Sequence, residues 1–299
     1  MATLTTQHKA IVFMVASTAA FSLMNAFIRM VSGEIDTTVL VFWRNFMCVF
    51  LLLPFMLAMG KGAFKTGRIS SHMARAAVGI IGMETWFHSV SILPLNQATA
   101  LSYTAPLFTT LFAAIYLHEK ITRLRMIALI IGFLGAMVIL RPDPEHFDVR
   151  ALWVMFATSM WAVAGMLVKS LTRTEPALRI VFYMSVFMSL LSLPLALFHW
   201  QWPDPHQWAI MLLIAIASLG AQVFLARAYA LAEVSSLMPY DFGRLIFTAI
   251  YAYILFGETS DLTSWIGAAI IIGSAIIITR RENRKKATEA ALNPPQSEG

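Results

Sequence analysis

The chain has 299 residues, of which 59% are hydrophobic and 13% charged, with a net charge of +6 and a mean hydropathy of +0.71. A soluble domain carries roughly a quarter charged residues, so this composition excludes one. Apolar runs near twenty residues, the length that crosses a bilayer core of about 30 Å, recur from end to end.

In chain order the runs predict ten membrane-spanning helices over residues 8–31, 38–59, 71–93, 97–117, 124–140, 151–170, 178–198, 207–231, 235–256 and 262–279. The runs are continuous rather than alternating, which excludes spanning strands. The first is too long for a signal-peptide core and has no small-residue cleavage site, so it is read as a helix. The breaks carry loop chemistry, as in KGAFKTGR, RPDPEH, WPDPHQ and GETSD. A polar segment, residues 282–299, is read as a disordered cytoplasmic tail. The one cysteine, Cys48, lies inside the second run, so a disulfide framework is excluded and its thiol is expected to pack.

Charge orients the spans. Lys61, Lys65 and Arg68, then Lys120, Arg123 and Arg125, then Lys169, Arg173 and Arg179 fall in alternate loops, and Arg280, Arg281, Arg284, Lys285 and Lys286 open the tail. The intervening loops hold Glu34, Asp36, Asp143, Glu145, Asp148, Asp204, Glu258 and Asp261. Basic residues stay on the cytoplasmic side, so both termini are expected there. The positive balance thus serves topology, not nucleic-acid binding.

Residues 11–33 align with those about 140 positions later. Phe21 meets Trp161, Arg29 meets Lys169, Phe42 meets Phe182 and Pro54 meets Pro194, while a shift of 139 brings Glu119 onto Glu258. Five spans per half is an odd number, so the second half must be inserted upside down. The expected fold class is an all-α polytopic membrane protein with ten transmembrane helices as two inverted five-helix repeats. Its units are residues 1–145 and 146–281. Inverted repeats are the signature of secondary transporters, with the substrate site near the midplane between halves.

The polar residues left inside the spans are the candidate site. Each buried charge costs about 2.5–3.5 kcal/mol on insertion scales unless paired or facing water. Glu84 and His88 in METWFHSV share one helix face, and Arg44 in VFWRNF enters from the same outer side. These are expected to meet as a site or as a fixed Arg44–Glu84 pair, with Asn25, Asn45, Trp43 and Trp86 nearby. Asp241 and Arg244 in MPYDFGR share a face and are expected to pair, with Arg227 as a second partner for the acid. Tyr240 flanks the acid, Pro239 frees a carbonyl, and Gln222 offers a neutral group at the midplane. Tyr103 completes the candidate set. Phe21, Phe27, Phe108, Phe112 and Phe133 are read as packing or lipid-facing, and Trp200, Trp202 and Trp208 as an interfacial belt. GIIG and GFLG are read as close-packing faces.

The absence of G-x-x-x-x-G-K-[ST] excludes an ATP-driven motor in this chain, and no HExxH or Cys/His cluster offers metal ligands. No cofactor is expected.

PLFTTLFAAIYLHEKIT and RLIFTAIYAYILFGETSD close the two halves. With the repeat, these patterns resemble the drug/metabolite transporter superfamily of EamA type, over almost the whole chain. MPYDFGRLIFTAIYAYILFGE further resembles the branch of riboflavin and S-adenosylmethionine transporters, onto which Pro239, Tyr240, Asp241 and Arg244 carry over. His118 departs from the glycine usual before the loop glutamate. The resemblance implies a ten-helix basket in the bacterial inner membrane, working by alternating access without ATP. Its expected cargo is a small polar metabolite, riboflavin or S-adenosylmethionine taken up, or amino acids or metallophores exported. Protons are a candidate coupling ion through Glu84, His88 and Asp241, and oligomeric state is left open. A membrane-embedded enzyme or a channel is the reading from another class; no enzymatic activity is expected.

Overall fold

The computed structural model describes residues 6–31, 33–92, 101–140 and 151–257, with isolated positions between 266 and 277. These residues are helical, as expected: α1 (Thr6–Met30), α2 (Thr37–Ala58), a short 3-10 turn (Lys61–Phe64), α3 (Ile69–Ile92), α4 (Ala105–Tyr116) and α5 (Arg123–Leu140). After them come α6 (Ala151–Leu171), α7 (Ala177–Phe198), α8 (Pro205–Leu231), α9 (Val234–Asp241) and α10 (Gly243–Phe256). Among the described residues α1, α2, α6, α7 and α8 are long and apolar enough to cross a membrane. The expected span at 97–117 is described as a helix from residue 105, and most of the one at 262–279 lies outside the described residues. The expected span at 235–256 is two helices meeting at Phe242.

Local chemistry sets several helix ends. The Asp36 carboxylate accepts the Thr38 amide at 2.8 Å to start α2, and Asp204 and Gln207 form a capping box at the start of α8 with Pro205 in the first position. Gly257 ends α10 in the left-handed conformation, at φ 68°. The residue 139 positions earlier is His118, and it holds the same kind of turn at φ 55°. The backbone therefore keeps a glycine-like geometry where the sequence lacks glycine, at a strain of about 1–3 kcal/mol.

Helix packing obeys an exchange of halves. α1 runs along α8 while α3 runs along α6; α1 touches α10 while α6 touches α4; α3 packs on α7 while α2 packs on α8; and α2 packs directly on α7. Replacing each of these helices by the one about 140 residues away maps the set of pairs onto itself. Large apolar side chains point outward, among them Phe50, Phe55, Leu190 and Phe198, the last 82% exposed. Such a surface suits hydrocarbon rather than water.

The turns at one end of the bundle are tied together by side chains. The Arg68 guanidinium donates to the Ser170 carbonyl at 2.7 Å and its hydroxyl at 2.9 Å. Arg179 donates to the carbonyls of Gly62 and Ala63 and to the Glu175 carboxylate, at 2.8, 2.7 and 2.7 Å. The Thr66 hydroxyl donates to Glu175 and the Tyr183 hydroxyl to the Phe64 carbonyl. Lys169 donates to the carbonyls of Tyr229 and Ala232, at 2.5 and 2.7 Å, capping α8. Arg125 pairs with Glu233, and the Glu119 carboxylate accepts the amides of Val234 and Ser235, both at 2.9 Å, capping α9. The loops marked as basic in the sequence thus share one face.

Burial pushes the Glu175 carboxyl up, but hydrogen bonds from Thr66 and Arg179, with the Arg179 charge, outweigh it and hold the carboxyl below its ordinary value of 4.5. A depressed carboxylate stabilises the fold above its unfolded value and loses that contribution as pH falls through its folded one. Thermal unfolding of the detergent-solubilised protein should therefore lose stability as pH drops below about 4.5. Glu175→Gln should flatten that part of the pH profile, and an unchanged slope in the variant would count against the assignment.

Candidate functional site

The helix interrupted at Phe242 places the one intramembrane acid–base pair among the described ion pairs. Asp241 closes α9 and Arg244 stands in the first turn of α10, so the two bracket the interruption. Arg244 Nη2 donates to Asp241 Oδ1 at 2.8 Å, and the side chains are 30% and 15% exposed. Pro239 removes one amide donor from α9. The interruption is a tightening, not an unwinding: Phe242 keeps φ −61° and ψ −19°, and the Leu245 amide bonds its carbonyl at 3.1 Å. Asp241 lies seven residues into the segment, about 10 Å from its capped end at 1.5 Å per residue.

Side chains from α1 hold this turn. The Arg244 guanidinium sits 5.1 Å from the centre of the Phe21 ring, within cation–π range. The Arg244 carbonyl accepts the Ser22 hydroxyl at 2.9 Å, and Thr248 and Ser22 hydroxyls meet at 3.3 Å. Phe242 is fully buried, its ring stacked 6.3 Å from Tyr103. Tyr103 and Tyr229 are buried within electrostatic reach of both Asp241 and Arg244. Gly132 on α5 makes room for Phe242, since a β-carbon there would lie 2.6 Å from the ring. The GFLG stretch therefore packs closely, as expected.

A second group lies between α2, α3 and α8. Arg75, which the sequence reading leaves out, is 7% exposed and donates to the Gln222 side-chain oxygen at 3.5 Å. A β-carbon at Gly79, one turn along, would lie 2.7 Å from Arg75 Nη1, so this glycine of GIIG seats a guanidinium. Gly82 lets α3 approach α6, where a β-carbon would lie 2.9 Å from the Trp161 ring. Arg44 is 9% exposed, with Nη2 3.9 Å from the sulfur of Met83.

Several expectations are corrected. Arg44 and Glu84 do not pair: Arg44 turns to Met83, while Glu84 Oε1 is buried without a partner. Arg227 does not reach Asp241; it is exposed, with its guanidinium 5.6 Å from the Phe13 ring centre. Trp43 joins the belt instead of the arginine, with Trp208, Trp200 and Trp202 at 4.6, 5.6 and 6.2 Å. Trp86 packs on Trp161 at 5.5 Å, and Asn25 is exposed on α1. Tyr240 is half-buried beside Asp241, and the side chain of His88 lies outside the described residues. Cys48 packs as expected, its sulfur 3.4 Å from the Ala215 carbonyl.

Tyr103, Asp241, Arg244, Gln222 and Arg44 are thus predicted residues that lie in the interior. Arg75, Tyr229, Phe21 and Ser22 join them. Of these, Arg75 carried a sequence signal, an arginine four residues before a glycine inside an apolar run. Among the described residues no group of three or more His, Cys, Asp or Glu side chains is placed to hold a metal. The arrangement offers charges and aromatic faces for binding.

The sequence profile of an EamA-like transporter family matches residues 8–141 and again 149–280. The chain is 30% identical over 278 residues to a riboflavin transporter of Brucella anthropi, covering 90% of this chain and 98% of that one. It is 30% identical over 248 residues to an S-adenosylmethionine uptake transporter of Rickettsia prowazekii, covering 83% and 84%. A crystal structure at 16% identity superposes with a TM-score of 0.78 over 92% of this chain and 98% of the other, which shows a shared fold.

Gly132→Ala should destabilise the protein by about 1–3 kcal/mol, because the added methyl overpacks the Phe242 ring. Adding Phe242→Leu should recover part of the loss in thermal unfolding; equal stability of Gly132→Ala and wild type would refute the contact.

Proposed function

The chain belongs to the EamA-like transporter family, and on that premise we propose that it moves a small polar metabolite across the bacterial inner membrane by alternating access, without ATP. Riboflavin is the favoured cargo, supported by the relative of that name, which this chain matches along nearly its whole length. The observation that carries the reading is the interruption at Phe242 with Asp241 and Arg244 on either side. Broken helices at a repeat interface are where transporters of this design keep their substrate groups. The pair is partly exposed, so a cargo can exchange contacts with it. Tyr103, Tyr229 and Phe21 supply rings against which a planar cargo stacks.

The exchange symmetry of the helix pairs supports two units, residues 1–145 and 146–281, as inverted five-helix repeats making ten spans. The face that gathers Lys61, Arg68, Arg125, Lys169 and Arg179 is the cytoplasmic one in this reading, with both termini on it. Asp241 and Glu84 are the candidate proton carriers. Uptake of S-adenosylmethionine is the second reading, favoured by the Rickettsia prowazekii relative.

Expression in a riboflavin-auxotrophic bacterium should restore growth on low riboflavin, and Asp241→Asn and Arg244→Gln should each lower uptake at least tenfold while still reaching the membrane. No restored growth on low riboflavin, together with uptake of labelled S-adenosylmethionine, would transfer the assignment to the second cargo. Uptake insensitive to both substitutions would remove the charged turn from the site.

A further inference from the structure

Among the described residues, Arg44 and Arg75 are buried arginines of the interior that no acid neutralises. The ion pairs among the described residues are Arg125–Glu233, Arg179–Glu175 and Arg244–Asp241, and neither arginine takes part in one. A guanidinium carries five N–H donors and does not give up its proton. Arg44 places one donor on a thioether, a weak acceptor, and Arg75 places one on an amide oxygen at 3.5 Å. The Nε donors of both are buried with no partner. Buried unpaired charge of one sign is the arrangement a fold does not keep without a counter-charge.

The geometry places the two groups along a single stripe. Arg75, Gly79 and Met83 stand at successive four-residue steps on one face of α3. Arg75 reaches forward over Gly79, where a β-carbon would collide with it, and Arg44 reaches across from α2 to Met83. The level of residue 79 is about 6 Å from that of residue 83 along the helix. Gly79 lies against the Arg75 guanidinium, with Met188 of α7 at its side and Gln222 of α8 accepting from Arg75. A carboxylate or phosphate takes charge-assisted hydrogen bonds from guanidinium groups on two sides, and planar forks suit it.

We infer that Arg44 and Arg75, with Gln222, form a subsite for an anionic group, so that the cargo is a metabolite carrying a carboxylate or phosphate beside its ring. The inference rests on the transporter reading, for it names the chemistry of that cargo. It shifts the preference between the two cargoes considered above to the second reading: S-adenosylmethionine has a carboxylate, whereas riboflavin has no ionised group at neutral pH.

The test is thermal unfolding of the full-length protein in detergent at fixed ionic strength. The probes are inorganic phosphate, flavin mononucleotide and riboflavin (the same ring and ribityl chain with and without the phosphate), S-adenosylmethionine, and 5′-methylthioadenosine (the same nucleoside without the aminocarboxypropyl group and the sulfonium charge). At least one probe bearing a phosphate or carboxylate should raise the midpoint, and bind about tenfold more tightly than its counterpart lacking that group. Arg75→Gln and Arg44→Gln should each abolish that preference, and Arg75→Lys should keep part of it. No stabilisation by any anion, or a preference unchanged in both glutamine variants, would overturn the subsite. Proteoliposome uptake of the same organic probes separates the two claims. Arginine-dependent anion binding without uptake of any probe would leave the subsite and count against transport. Uptake that ignores both arginines would leave transport and remove the subsite.

Discussion

A hydrocarbon layer has no partner for a bare amide or carbonyl, and each helix end that borders it needs an answer from elsewhere in the chain. Between α8 and α9 that answer comes from two distant side chains. Lys169 takes the carbonyls that α8 leaves open, and Glu119 takes the amides that open α9. One residue belongs to each half. The position of Asp241 and Arg244 therefore depends on a cap supplied from more than a hundred residues away.

The interior charges divide into two kinds. Asp241 and Arg244 neutralise one another and are steadied by Phe21 and Ser22, so that pair holds the turn together. Arg44 and Arg75 have no such relief. For the alternating cycle proposed above, a neutral pair keeps the bent segment intact, and an uncompensated pair makes a counter-charge a condition for compactness. Glycines set the clearances in both places. Gly132 seats Phe242 beneath the pair and Gly79 seats Arg75, so the small-residue stretches position functional groups as well as helices.

How much of this was legible in the sequence follows from what each feature depends on. The all-helical class, the apolar exterior and the grouping of basic loops depend on local composition, and the structure agrees with them. The Asp241–Arg244 pair was legible because both partners lie on one helical face, three residues apart. Contacts between helices were not legible in the same way. Arg227 was matched to Asp241 by depth alone, but depth says nothing of rotation about the helix axis, and Arg227 faces Phe13. The Arg44–Glu84 pair failed for the same reason. Arg75 was passed over because its distance from the helix start resembled that of loop charges, although a long side chain reaches a full turn deeper. The break at Phe242 was masked by an unbroken apolar run, since a kink that keeps helical torsions leaves no compositional trace.

The Glu119 cap also bears on how the chain is made. Glu119 leaves the ribosome 115 residues before Val234, the amide it will bond. Until then its carboxylate stays at the water-facing end of the early half, and the late half enters the bilayer with the first turn of α9 uncapped. Neither half finishes its own backbone bonding, so co-translational insertion of the first leaves a vacancy that the second completes. A gene split between the halves would have to restore this bond between two polypeptides before span 9 could settle.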